Sequence, residues 1–210
     1  MALLEALATQ LIAGVVTLFV ILDPIGVLPF FLSLTQGSTL EQRRKIANKA
    51  VLITICLLLV FAFLGDAILL FLGIQISDFE IAGGALLLLF ALRDALSIEP
   101  LGFKETAAAM DSSKVLETIA VIPIATPLLA GPGSLTTVML LTREPYGLLV
   151  STVSILVDCS FAWILLRISG RINKFVGPSG LMIIGKVMDI LMAAIAVSFL
   201  TAGITSLHLG

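Results

Sequence analysis

Two short stretches of this 210-residue sequence hold residue types that sit badly in their surroundings. One is Leu22-Asp23-Pro24-Ile25-Gly26-Val27-Leu28-Pro29. The other is Thr126-Pro127-Leu128-Leu129-Ala130-Gly131-Pro132-Gly133-Ser134, and both interrupt long apolar runs. Proline lacks an amide donor and clashes with the carbonyl four residues back, at about 3 kcal/mol or more inside a helix. Two prolines with glycine in one short window therefore predict a broken helix rather than a bent one. At such a break one half-helix ends in unused carbonyls and the next begins with unused N–H groups. The N–H groups of Gly26, Gly133 and Ser134 suit a carboxylate. The carbonyls around Leu22, Ala125 and Thr126, helped by Asp23, suit an ammonium group. A zwitterion with little or no side chain fits that pair of ends, and the glycines let the backbone approach it closely. Asp23, Pro24, Gly26, Thr126, Gly131, Gly133 and Ser134 are accordingly the candidate substrate-binding residues. In the competing reading Asp23 caps its own half-helix and touches no substrate.

A third feature is Asp158, eleven residues from both Gly147 and Ser169 in another apolar run. Gly147, Ser151, Ser154 and Asp158 are spaced 4, 3 and 4, which places them on one helical face. That stripe is expected to face the protein interior or a water path. A carboxylate buried without a positive partner favours its neutral form. Asp158, with Asp23, is thus a candidate for ion coupling, and a structural hydrogen bond to a broken helix is the alternative.

The elements that must position these residues follow from composition. Hydrophobic residues make up 59% and charged residues 12%, about half the usual ~25%, and the mean hydropathy is +1.18. Too few charges remain to cover a water-soluble surface. With a net charge of -2, a soluble domain, a disordered chain and a nucleic-acid binder are all excluded. Six stretches approach the ~20 apolar residues that a spanning helix needs. They are 10–34, 48–72, 79–98, 118–141, 147–169 and 186–207. No alternating ten-residue pattern of a transmembrane barrel is present. The first run has no basic flank, so it does not read as a cleaved signal peptide.

Basic residues orient the spans. Arg43, Arg44, Lys45, Lys49, Arg93, Lys104, Lys114, Arg167, Arg171, Lys174 and Lys186 fall beside three alternate loops, and only Arg143 falls on the other side. Eleven against one is a strong positive-inside bias, placing those loops in the cytoplasm and both termini outside. The basic amphipathic segments 36–48 and 171–184 read either as helices lying along the headgroups or as solvated connectors. Residues 99–117 read as a polar cytoplasmic connector between two halves, 1–98 and 118–210.

The two Pro-Gly clusters match: Pro24 and Pro29 are five apart, as are Pro127 and Pro132. Each lies near the middle of the first span of its half, hence near the membrane midplane, and the charge count runs those spans in opposite directions. Two inverted three-helix repeats with interrupted helices are the architecture of secondary transporters, whose binding site lies at the breaks. The expected fold is therefore an all-α membrane protein with six transmembrane helices, spans 1 and 4 broken.

Other ionisable groups read more plainly. Asp66 lies toward the outer end of span 2, Asp189 and Lys186 form a local i, i+3 pair, and Arg93 and Asp94 snorkel. Gly83-Gly84 and Ala193, Ala194 and Ala196 read as close helix packing. Cys56 and Cys159 sit in apolar spans and behave as small hydrophobes. His208 is the sole histidine, and no zinc motif, nucleophile-histidine pair or phosphate loop is present. Asp23 and Asp158 have no aspartyl-pair signature. No enzyme, cofactor or metal site is expected.

At these residues the chain resembles the MarC-type integral membrane proteins, which include small neutral amino acid transporters of the SnatA kind. The matching stretches are Leu22 to Pro29, Ile81-Ala82-Gly83-Gly84, Pro127 to Gly133, and Leu191-Met192-Ala193-Ala194-Ile195-Ala196-Val197. The resemblance covers nearly the whole chain and implies a distant relation to lysine-exporter-like proteins. It also implies transport of glycine- and alanine-like amino acids across the cytoplasmic membrane, coupled to protons rather than sodium. Lys186 and Asp189 depart from it, because family members often carry Arg and Gly there. The alternatives are export of other small solutes or drugs, or a structural membrane protein with no transported ligand.

Overall fold

The structure is a computed structural model that describes residues 2–35, 37–96, 124–126, 129–143, 145 and 147–209. Among these, every regular element is helical and no strand is present. The helices are α1 (Ala2–Leu22), α2 (Val27–Leu34), α3 (Leu40–Leu72), α4 (Ile76–Ala95), α5 (Pro132–Arg143) and α6 (Gly147–Leu209). Four segments are long and apolar enough to cross a membrane: Leu4–Leu22, Leu40–Leu72, Gly147–Gly177 and Ser179–Leu207. The last two are arms of α6, separated at Gly177, whose left-handed φ of 74° interrupts the helix. α4 has 20 residues, about 30 Å at 1.5 Å per residue, but carries Asp78, Glu80 and Arg93 near its ends. The expected connector 99–117 and the start of the fourth span lie outside the described residues.

Helix boundaries differ from the sequence expectation in three places. α1 begins at residue 2 rather than 10, because Ala and Leu keep helical propensity high through the polar Glu5 and Thr9. Segment 36–48 is neither a headgroup helix nor a separate connector: from Leu40 it runs unbroken into α3. Thr39 and Gln42 start that helix with a reciprocal capping box, each side chain bonded to the other's backbone N–H, at 3.2 and 2.8 Å. Segment 171–184 likewise consists of the ends of the two α6 arms meeting at Gly177.

The surface is apolar, with Leu70, Phe71, Leu52 and Ile190 all more than half exposed. Polar residues point inward: Thr54, Thr136, Ser151, Ser154 and Ser169 are fully buried. This inversion of the soluble pattern suits lipid as the solvent.

Glycines bring the helices together. A Cβ at Gly203 would sit 2.8 Å from Ser77 O, and one at Gly84 2.9 Å from Ala196 O. Lys186 Nζ donates to Ala95 O at 2.7 Å, so α4 and the second α6 arm pack antiparallel from end to end. α5 lies between three helices, with Gly65 of α3 against Met139, Gly83 of α4 against Thr136, and its own Gly133 against Ile21 of α1. Gly14 of α1 seats Ser154 and Val150 of α6.

The ends of the bundle differ in charge. Arg43 Nη1 lies 3.4 Å from the Cβ position of Gly170, which gathers the start of α3, the end of the first α6 arm and the Gly177 turn at one end. Nine of the ten basic residues on described segments (twelve less Lys104 and Lys114) belong to that end. Arg143 lies at the other, bonded to Asp66 at 2.7 Å with both side chains about half exposed.

Candidate functional site

The first break occupies residues 23–26, between α1 and α2. Asp23 adopts φ 40°, a left-handed conformation that Asp tolerates better than most residues. Its N–H still bonds back to Phe19 O at 3.1 Å, and its carbonyl accepts from Val27 N–H at 3.1 Å. The side chain is buried at 6% exposure and accepts the Gly26 N–H at Oδ1, 3.0 Å away. Asp23 therefore caps α2, and the Gly26 amide expected to face a carboxylate is already occupied. Gly26 is required here: a Cβ would overlap the Asp23 carboxyl group.

The second break is described on both sides of Pro127 and Leu128. Residues 124–126 and 129 form a wide π-type turn in which Ala130 N–H bonds to Ala125 O at 2.7 Å. α5 then starts at Pro132, which suits the first helical position because its missing N–H would have no partner there. The N–H groups of Gly133 and Ser134 follow, with no carbonyl one helical turn earlier in the same helix. Ser134 Oγ reaches Leu129 O and Gly131 O, at 3.0 and 2.9 Å, and so ties the break to the helix it opens.

The two breaks meet around a cavity of about 40 Å³. Asp23 and Gly26 line it from the first break, and Gly131, Pro132, Gly133 and Ser134 from the second. Ile21, Val27, Phe30, Leu87, Phe90 and Met192 form apolar walls. Met192 is one residue from the centre of Ser179–Leu207, and Leu87 is within two of the centre of α4. The cavity therefore lies at mid-height of the bundle, although α1 begins eight residues earlier than the expected span. At roughly 10–15 Å³ per water, it has room for about three waters.

Of the seven residues singled out in the sequence, five line this cavity. Pro24 and Thr126 do not: Pro24 forms the turn behind Asp23, and Thr126 lies half-buried on the π turn. The apolar walls carried no signal in the sequence, because Leu, Phe and Met on a lipid-facing background resemble any other span residue. Asp158 is also absent from the lining. It is buried at 1% exposure on the first α6 arm, in the stripe with Ser151 and Ser154 that the spacing placed on one face. Ser151 Oγ donates to Val138 O at 3.0 Å, so the stripe faces α5 and the protein interior.

The expected local pair is present, with Lys186 3.9 Å from Asp189, and Arg93 stacks 5.1 Å from the Phe90 ring centroid. Cys56 and Cys159 are free thiols.

Electrostatically the cavity is two-ended. Asp23 presents a carboxyl group from one wall, while the N-terminus of α5 supplies about half a positive charge from another. A profile of MarC family integral membrane proteins matches residues 8–208, which include both breaks and every lining residue. The chain belongs to the MarC family. A UPF0056 membrane protein of Methanocaldococcus jannaschii is 34% identical over 193 residues, 90% of this chain and 92% of that one. A UPF0056 membrane protein of Pyrococcus abyssi is 33% identical over 204 residues, 96% of this chain and 97% of its own. The UPF0056 membrane protein YhcE of Escherichia coli is 32% identical over 200 residues, 92% and 91% of the two chains. No solved structure matches. Family membership and the long apolar helices make this MarC protein a multi-pass integral membrane protein.

Proposed function

We propose that the chain is a secondary transporter of small neutral amino acids, of glycine or alanine type, in the cytoplasmic membrane. Its two halves are read as inverted three-helix repeats, with both termini outside, that alternate access around the breaks. Transport is read as driven by the proton gradient. One observation carries this: a mid-height cavity where two broken helices present a carboxyl group and a helix N-terminus to the same small space. In the proposed complex the substrate ammonium faces Asp23, and its carboxylate faces the N–H groups of Gly133 and Ser134. Leu87, Phe90 and Met192 leave space for no more than a short aliphatic side chain.

Cavity size favours this over a drug exporter, since sites for drug-sized ligands occupy roughly 300–1,000 Å³. The test is labelled-glycine exchange by purified protein in liposomes, followed by alanine, leucine and lysine as competitors. Exchange above empty vesicles that alanine blocks and lysine does not is the expected result. No flux with any amino acid, under any imposed pH gradient, would overturn the amino-acid reading.

A further inference from the structure

Among the described residues three acids are buried, Asp23, Asp158 and Asp189; Asp189 pairs with Lys186, and the structure separates the environments of the other two. Asp23 lines the cavity and is engaged with the backbone of its own break. Asp158 lies on the first arm of α6, away from the lining, and among the described residues its Oδ2 has no hydrogen-bond partner. Ser154 lies one turn earlier on the same face and is 0% exposed, and its Oγ has no partner either. Among the described buried hydroxyls only Ser169, also fully buried on this arm, shares that lack. Thr54, Thr136, Thr137 and Thr152 all turn their hydroxyls back onto the carbonyl four residues earlier, at 2.7–3.0 Å. Ser154 points instead at Gly14 of α1, where a Cβ would stand 2.9 Å from its oxygen.

The level of Asp158 follows from its neighbours on α6. Ser154 meets Gly14, and the Phe161 ring packs edge-on at 5.2 Å against Phe19. Asp158 therefore lies near the level of residue 17, about six residues or ~9 Å outward of Asp23. The charged groups of the surrounding elements are distant. α1 carries only Glu5, at its far end; α2 and residues 124–130 carry none; α5 carries only Arg143, bonded to Asp66. α3 carries none between Lys49 and Asp66, and α4 and the second arm carry theirs toward their ends, apart from Asp189, which pairs with Lys186. Cys159, next in sequence, and Asp23 are the other titratable groups of this layer.

We infer that the two acids divide the work: Asp23 holds the substrate, and the Asp158–Ser154 pair, outside the substrate cavity, holds the transported proton. The inference rests on the transporter reading above. One proton from the aqueous phase binds Asp158 Oδ2 and makes a neutral carboxylic acid, and the same proton leaves to the opposite phase. In the neutral state no net charge is left in the layer, and a rotation of the two side chains, which stand on adjacent turns of one face, would let the acid O–H donate to Ser154 Oγ. In the ionised state a net charge remains in a layer with no cation among the described residues, at a cost of at least ~2.5–3.5 kcal/mol. Crossing the membrane is therefore tied to the loaded, neutral form.

The test uses full-length protein in liposomes with labelled glycine and two assays, exchange at equal pH and accumulation driven by an imposed pH gradient. Asp158→Asn is expected to exchange within about twofold of the parent while gradient-driven accumulation falls to the level of empty vesicles. Asp23→Asn is expected to weaken exchange itself. Ser154→Ala, which keeps the carboxyl group, is expected to move the pH of half-maximal uptake by half a unit or more with KM unchanged. Accumulation by Asp158→Asn under a pH gradient would overturn the assignment. So would an unmoved pH profile in Ser154→Ala, or accumulation by the parent under a sodium gradient but not a pH gradient. Absence of exchange in the parent would overturn the transporter reading instead.

Discussion

Asp23 has two roles that a single pair of substitutions separates. As a cap it accepts the Gly26 N–H at 3.0 Å and holds a left-handed φ of 40°. As a ligand it would hold an ammonium group through its charge. Asparagine is as good a cap as aspartate and tolerates the left-handed region, so Asp23→Asn keeps the first role and removes the second. Alanine removes both. Loss of the cap costs about 1 kcal/mol, and a left-handed alanine about 1–2 kcal/mol more. At roughly 2–4 °C per kcal/mol for a chain of this length, Asp23→Ala is expected to melt some 4–12 °C lower. Asp23→Asn is expected to melt within about 2 °C of the parent. Its substrate would lose a charge-assisted hydrogen bond worth ~1.5–3 kcal/mol, and KM for glycine should rise by roughly ten- to a hundredfold. Thermal unfolding in detergent and exchange kinetics in liposomes read the two effects independently. If Asp23→Asn exchanges glycine with the parent's KM, the carboxylate is only a cap, and the proposed orientation of the substrate is wrong.

Four further substitutions probe the packing and pairing of the bundle. In Gly133→Ala the new methyl would stand 2.6 Å from Leu87 Cδ1 and 3.2 Å from Ile21 Cγ2, and both side chains line the cavity. Displaced inward, they should abolish alanine exchange before glycine exchange; equal retention of both would refute this. Gly185→Ala, which meets nothing within 4 Å, is the matched control and should leave both rates unchanged. Gly84→Ala would press against backbone, 2.9 Å from Ala196 O and 3.0 Å from Leu200 N, and should destabilise by about 1–3 kcal/mol in thermal unfolding. Arg143→Gln breaks a pair whose side chains are 47% and 60% exposed. Its cost should not exceed ~1 kcal/mol, and a larger loss would mean that the pair is more than a surface contact.

The cavity was legible in the sequence because its polar parts are exceptions to their background. Proline and glycine inside an apolar run have few structural uses, and their spacing alone brought Asp23, Gly131, Gly133 and Ser134 into one hypothesis. The burial of Ser151, Ser154 and Asp158 was legible for the same reason, since a polar stripe at helical spacing has only one stable direction to face. Helix limits were less so, because hydropathy marks where lipid begins and not where a helix does. The start of α3 was nonetheless written in the chain, as Thr39-Leu40-Glu41-Gln42 has the form of a capping box. The capture of the Gly26 amide by Asp23 was not legible: it depends on a backbone angle that spacing does not specify. Leu87, Phe90 and Met192 were hidden because an apolar wall facing a ligand and one facing lipid use the same residues.

The interlocking of α4 with the second arm of α6 also governs how the bundle deforms. Contacts at Ser77, Gly84 and Ala95 run over about 18 residues, or ~27 Å of helix, and leave no smooth track along which one helix could slide past the other. A slip of one turn would carry bulky side chains onto the glycines. The pair therefore behaves as a single stiff beam, with Leu87 and Met192 close to its midpoint. In the proposed transport cycle such a beam would rock with its ends sweeping widely and its fulcrum hardly moving, so that the two faces would open in turn while a ligand beside the fulcrum stayed almost still.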